Sequence, residues 1–308
     1  MNALKNLTAE YLEFCEFRKE LNSKTLKAYR IDLRQFCEYM QAQNDFTDKN
    51  ALNNYISHIH QQFQPKTIKR KIASVKAFFH YLVYEEILTN NPFDKINVRF
   101  REPQRLPRTI PFSTIESFMA AIYKEQQYAQ TEFQKNSVLR DIAVIELLFA
   151  TGMRISELCT LKIDQVDLSS HKLLIYGKGA KERMLQIGNS DVIQILSQYY
   201  SAFEKDISST GWFFINRLNT RYSEQSVRAM ILKYAKLADI PLHITPHMFR
   251  HSFATLLLEA DVDIRYIQKM LGHSSITTTE IYTSVSMTKQ YTILTTKHPR
   301  NNMQLNKA

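Results

Sequence analysis

All six glycines of this chain, Gly152, Gly177, Gly179, Gly188, Gly211 and Gly272, lie beyond residue 150. The earlier part therefore lacks the residue that left-handed turns and tight hairpins use most readily, and its apolar pattern is helical instead. Leu7, Tyr11, Phe14, Phe17 and Leu21 recur at spacings of three and four, as do Leu26, Tyr29, Leu33, Phe36 and Met40, then Ile68, Ile72, Val75, Phe79 and Leu82. Leu52, Ile56 and Ile59 form a shorter set. Each segment offers a single apolar stripe to a common core, which predicts four helices in a small bundle.

Between Asn91 and Pro111 the segment NPFDKINVRFREPQRLPRTIP holds four of the eight prolines and shows no period. It reads as a linker, dividing the chain into a domain over 1–98, a connection over 99–111 and a second domain over 112–308. In the second domain helical patterns resume, as in VLRDIAVIELLFA. At residues 172–187, KLLIY and ERMLQI flank GKGAK, the pattern of a β-hairpin, with Lys178 at its tip. The expected fold is mainly α, with a small antiparallel sheet in the second domain.

A length of 308 residues suits two domains of ordinary size. No apolar run approaches the roughly 18 residues of a membrane span. The start, MNALKNLTAEYLEF, lacks the apolar block of a signal peptide. A cytoplasmic protein without membrane contact is expected. Cys15, Cys37 and Cys159 are odd in number and scattered, which fits neither a disulfide framework nor a metal-ligand spacing. They read as reduced packing residues.

The formal charge is +10, an excess that favours a polyanionic partner. Both regions share it: residues 1–110 carry 18 Lys+Arg against 12 Asp+Glu, and the remainder 22 against 18. Lys24, Lys27, Arg30 and Arg34 lie away from the apolar stripe of the second helix. Lys66, Lys69, Arg70 and Lys71 open the fourth. Two such faces suit the backbone of double-stranded DNA, and an ordinary solvated face is the alternative.

One nonapeptide, HMFRHSFAT at 247–255, concentrates cationic and proton-carrying groups. Thr245 followed by Pro246 is a helix start, a capping hydroxyl and then a ring whose missing N–H costs nothing there. His247 and Arg250, three apart, would share a face near the positive end of that helix, a place for a phosphate. Four further groups complement them: Arg154 in ATGMRISEL, Lys178 in GKGAKER, and His273 and Tyr282 in LGHSSITTTEIYT. Two arginines can clamp the non-bridging oxygens of a phosphodiester, each charge-assisted bond contributing on the order of 1.5–3 kcal/mol, and can stabilise charge at a pentacoordinate phosphorus without a metal. A phenol with a reference pKa near ~10 needs a base or a positive site to act as nucleophile. His247 is the natural base, Lys178 a donor to the leaving sugar oxygen, and His273 a donor to a phosphate oxygen.

These boxes, in this order, resemble those of the tyrosine recombinases, the phage-integrase family, and are most similar to its compact Xer-like members. ATGMRISEL resembles the first-arginine box, GKGAKER the lysine hairpin, HMFRHSFATLLL the His-x-x-Arg box, and LGHSSITTTEIYT the box of the second His and the Tyr. LNSKTLKAYRIDLRQF and PKTIKRKIASVKAFFHYL resemble the family's amino-terminal, SAM-like, core-binding domain. The resemblance implies a catalytic set of Arg154, Lys178, His247, Arg250, His273 and Tyr282, with Glu157 as a supporting carboxylate. It also points to Ser223, Gln225 and Arg228 in SEQSVRAMILKYAK as readers of a DNA groove. Tyr291, outside the box, is the rival nucleophile.

The implied activity is site-specific recombination through a 3′-phosphotyrosyl ester and a Holliday junction, carried out by four protomers on two duplexes, with no nucleotide or metal cofactor. Dimer resolution and mobile-element integration or excision both fit, as do a second recombinase, a DNA translocase or a directionality factor as helpers. A non-catalytic architectural DNA-binding protein and a type IB topoisomerase are the competing readings. Two departures stand out: IYKEQQYAQTEFQKN is longer than in the most compact members, and LQIGN replaces the proline usual after the hairpin. No additional arm-binding domain is expected before the first helix.

Overall fold

Helices form where the apolar stripes predict them. In the computed structural model, which describes residues 2–43, 45–96, 108–177 and 182–272, the chain divides into two compact units, residues 1–104 and 105–308. The first unit contains α1 (Asn2–Phe17), α2 (Ser23–Met40), α3 (Lys49–Gln62) and α4 (Pro65–Tyr84), followed by a 3-10 turn at Pro92–Lys95. Short polar side chains start two of these helices: Asn22 accepts from the Thr25 N–H, and Asp48 from the Ala51 N–H. Pro65 occupies the first turn of α4, where its missing N–H removes no helix bond. Tyr11, Leu33, Phe36, Leu52, Ile72, Val75, Phe78 and Phe79 form the shared core.

Two side chains depart from the sequence pattern. Phe17, assigned to the first apolar stripe, is 71% exposed. Helix α1 stops at this residue, Glu20 turns with a φ of 47°, and Leu21 folds back to donate to the Cys15 carbonyl, so the stripe ends early. Lys71, assigned to the basic face of α4, is 1% exposed. It lies three residues after Ile68 and four before Val75, hence on the buried stripe. Its ammonium sits 3.3 Å from Oδ1 of the buried Asp32, donates to Gln35, and lies 4.5 Å from the centroid of the Phe63 ring. Asp32 also accepts from Ser74 and pairs with Arg70. A buried ammonium is tolerable only with such partners.

The second unit begins with α5 (Phe112–Tyr128) and α6 (Glu132–Thr151), then the short α7 (Ile155–Cys159). Strands β1 (Val166–Asp167), β2 (Lys172–Tyr176) and β3 (Glu182–Gln186) follow, and α8 (Ser190–Thr210), α9 (Glu224–Leu237), α10 (Pro246–Glu259) and α11 (Ile264–Leu271) complete the described part. The strands form an antiparallel sheet in the order β1-β2-β3, with Leu173 opposite Leu185 and Ile175 opposite Arg183. The predicted hairpin is thus present as β2 and β3. Its tip, with Lys178, lies outside the described residues.

Helix α6 is the axis of this unit. Ile142, Ala143, Val144, Ile145, Leu147 and Leu148 are all buried, an apolar run too broad for one face, and α5, α8 and α10 pack around it. Asp141 on α6 accepts from the Tyr234 hydroxyl of α9 at 3.1 Å and pairs with Arg140. Ser252 of α10, fully buried, accepts from the Ile110 N–H at 2.7 Å and so fixes the segment leading into α5. Among the described residues no helix is long and apolar enough to cross a membrane. All three cysteines are buried thiols.

Candidate active site

The site is assembled at the end of α6. Gly152 terminates that helix with a φ of 59°, the left-handed conformation that glycine adopts without strain. A Cβ at this position would lie 2.5 Å from Cδ1 of Phe253, so close approach to α10 also demands glycine. The sharp turn delivers Arg154 to the start of α7, where its backbone N–H donates to Oε2 of Glu157 at 2.8 Å and its Nη1 to Oε1 at 2.8 Å. Glu157 reaching back three residues satisfies a helix-start N–H, as in half of a capping box.

Glu157 is only 6% exposed, and its carboxylate has a second partner. Arg183 on β3 approaches it fork to fork, Nη1 to Oε1 at 3.0 Å and Nη2 to Oε2 at 2.7 Å, the strong bidentate arrangement. Each carboxylate oxygen thus accepts two bonds. Burial pushes the Glu157 carboxyl up, but the hydrogen bonds from Arg183 and from the Arg154 N–H, with the adjoining positive charges, outweigh it and hold the pKa below the usual glutamate value. Nε of Arg183 donates to the Met270 carbonyl at 2.9 Å.

Arg250, on α10, is 4% exposed. Its Nη1 donates to the Gly152 carbonyl at 2.8 Å and its Nη2 to the Leu271 carbonyl at 2.7 Å. Both acceptors stand at helix C-termini, where carbonyls lack helical partners and the dipole favours a cation. The contacts close a ring. Arg154 holds Glu157, which holds Arg183, which holds Met270; the adjoining Leu271 holds Arg250, which returns to Gly152 two residues before Arg154. Arg154 and Arg250 are therefore neighbours in space although 96 positions apart in sequence.

Thr245 caps α10, its hydroxyl accepting from the Met248 N–H, and Pro246 takes the first turn as expected. His247 is exposed in that turn. Arg250 is set deeper than the sequence reading placed it, because two of its donors serve carbonyl oxygens and not the open end of α10. His251, one turn beyond His247, has its pKa lowered to about 4 by burial, then by the charges of His247 and Arg250. His247 and Arg250 thus both lie within electrostatic reach of His251, and together with burial they favour its neutral form. His273, Tyr282 and Tyr291, like Lys178, fall outside the described residues.

Lys24, Lys27 and Arg30 are exposed on α2, Arg30 lying 4.0 Å from Glu16. Lys66 and Lys69 are exposed on α4, while Arg70 is drawn toward Asp32. Ser223 caps α9, its hydroxyl accepting from the Ser226 N–H at 3.0 Å. Gln225 and Arg228, three apart and both exposed, share one face, with Arg228 paired to Glu224 at 3.0 Å.

Sequence reasoning missed Arg183, although its parity in β3 marks it: it alternates inward with Leu185 while Glu182, Met184 and Gln186 face out.

Known proteins carry the same pattern. The model of the phage integrase family matches residues 110–289, and that of the phage integrase N-terminal SAM-like domain matches residues 8–86. A tyrosine recombinase of Agathobacter rectalis is 54% identical over 301 residues, covering 97% of this chain and 98% of the relative. The tyrosine recombinase XerD of Staphylococcus haemolyticus is 33% identical over 305 residues, covering 96% and 100%. Among solved structures, the XerH site-specific recombinase bound to palindromic difH substrate shares the fold with a TM-score of 0.73 at 22% identity, over 94% of this chain and 84% of that one. A lambda integrase dimer bound to a COC′ core site gives 0.68 at 15% identity, over 99% and 79%. The chain belongs to the phage integrase family and is a tyrosine recombinase, an enzyme of site-specific DNA recombination.

Proposed function

We propose that this recombinase cuts and rejoins double-stranded DNA through a 3′-phosphotyrosyl ester on Tyr282. The phenolic oxygen attacks phosphorus, one P–O bond forms as the bond to the 5′ oxygen breaks, and the freed 5′-hydroxyl of a partner duplex later attacks the protein–DNA ester and releases the phenol. Each step exchanges one ester for another, so neither a nucleotide nor a metal is needed to drive it. Arg154 and Arg250 bind the non-bridging oxygens and offset the charge of the pentacoordinate state. His247 accepts the phenolic proton, Lys178 protonates the leaving oxygen, His273 donates to a phosphate oxygen, and Glu157 orients Arg154. The ring joining Arg154, Glu157 and Arg250 carries this reading, because a bidentate clamp requires both arginines at one place.

Four protomers on two duplexes, passing through a Holliday junction, complete the scheme, in the cytoplasm. The basic faces bearing Lys24, Lys27, Arg30, Lys66, Lys69 and Arg70 contact phosphates, and α9 presents Gln225 and Arg228 to a groove, with Ser223 positioning its start. The reaction serves dimer resolution or the integration and excision of a mobile element. The test uses two labelled duplexes carrying the sites that flank or neighbour the gene. Recombinant products and a trapped four-way junction with the wild-type chain, both absent in Tyr282→Phe, are expected. Relaxation of supercoiled DNA without strand exchange would instead favour a topoisomerase.

A further inference from the structure

Resting on the phosphoryl-transfer reading above, we propose that Arg183 is a positioning residue for that reaction, holding Glu157 so that Arg154 keeps both its orientation and its net charge toward the scissile phosphate. Glu157 is shared between two guanidinium groups: Arg154 at 2.8 Å, and Arg183 at 3.0 and 2.7 Å. A carboxylate paired with Arg154 alone would largely cancel the charge the phosphate must feel. With Arg183 as the second partner, the Arg–Glu–Arg group keeps a net charge of about +1, and the fork-to-fork geometry fixes the carboxylate plane on which Arg154 rests.

The same guanidinium ties three elements together. It projects from β3, the second strand of the lysine hairpin, and reaches α7 through Glu157 and the end of α11 through the Met270 carbonyl. The backbone passes close over it: a Cβ at Gly272, the residue preceding His273 in sequence, would lie 3.0 Å from Cδ and Nη1 of Arg183. One side chain therefore joins the helix that follows the first arginine, strand β3 and the end of α11. It touches no reacting atom in this scheme and acts through Glu157.

The experiment measures single-turnover cleavage by the full chain on a nicked site, once with a phosphodiester and once with an uncharged methylphosphonate at the scissile position. The variants are Arg183→Gln, which removes charge and fork, and Arg183→Lys, which keeps the charge alone. Site binding and unfolding midpoints are measured in parallel. The expected result for Arg183→Gln is a cleavage loss of about 10²-fold on the phosphodiester, with a loss below about 3-fold on the methylphosphonate, where no charge needs the clamp. Arg183→Lys should fall between wild type and Arg183→Gln on the phosphodiester, and it carries the test by the same substrate comparison should Arg183→Gln not fold. Equal losses on the two substrates, or wild-type cleavage by Arg183→Gln, would overturn the proposal. If the wild-type chain itself forms no covalent adduct on the phosphodiester, the functional reading fails, and that outcome is separable from a failure confined to Arg183.

Discussion

The guanidinium of Arg250 donates to the carbonyl oxygen of Gly152 at 2.8 Å, two residues before Arg154. A single helix end thus serves as acceptor for one arginine and as the turn that delivers the other. The arrangement makes the left-handed residue at 152 as much a part of the site as the charges around it.

Gly152→Ala should destabilise the chain by about 2–4 kcal/mol, combining left-handed strain with overlap against the Phe253 ring. Gly211→Ala is the matched comparison. It has a φ of 73° but nothing within 4 Å of the added methyl, so it should lose only about 1–2 kcal/mol. Urea unfolding of both variants gives the difference. Equal losses would show that the contact with Phe253 carries no weight.

Arg250→Ala leaves the carbonyls of Gly152 and Leu271 without a buried donor each, at a stability cost of about 1–3 kcal/mol. Cleavage should fall by about 10²-fold or more, while affinity for the duplex changes far less, since Arg250 is buried and the exposed lysines are the groups proposed to meet the DNA backbone. Parallel gel-shift and cleavage assays separate the two effects. A variant that loses binding and cleavage in the same proportion would contradict the assigned role.

In the first unit, Asp32→Ala strands the buried Lys71 ammonium and should lower stability by about 3–5 kcal/mol. Adding Lys71→Met should restore most of that loss, because a thioether in that pocket needs no counter-charge. The urea midpoints of the single and double variants of the full chain test the coupling. Additive losses would mean that the pair does not interact as the 3.3 Å separation indicates.

Protonation of His251 opposes folding. Its folded pKa, about 4, lies below the ordinary histidine value of 6.5, so the unfolded chain takes up this proton first as the pH falls. The stability it contributes is therefore fully present above about pH 6.5 and is lost as the pH falls toward its folded pKa. His251→Asn should flatten the decline in unfolding midpoint across this window and leave the remaining pH dependence intact. An unchanged slope would show that His251 is not the group responsible.

Much of the fold was legible because local patterns and tertiary demands agree. The stripes Leu26–Met40 and Ile68–Leu82 became α2 and α4, Thr245-Pro246 opened α10, and KLLIY with ERMLQI became paired strands. Misreadings came where residue type was allowed to outvote position. Lys71 sits at helical spacing from Ile68 and Val75, yet its charge assigned it to the surface. The partner that permits its burial, Asp32, lies on another helix, and no local pattern announces it. Arg183 has inward strand parity, but its meaning depends on Glu157, 26 positions away. In the site itself the boxes named Arg154, Glu157 and Arg250; that two donors of Arg250 serve helix-end carbonyls is a tertiary fact that spacing within HMFRHSFAT cannot express.

In the proposed reaction the phenolic oxygen of Tyr282 is the atom that takes the DNA. The most direct measurement is to trap the covalent adduct on a nicked site, digest protein and DNA, and locate the nucleotide-bearing peptide by mass spectrometry. A phosphodiester remnant on Tyr282, and none in Tyr282→Phe, is the expected result. A remnant on Tyr291, or an adduct that survives Tyr282→Phe, would contradict it.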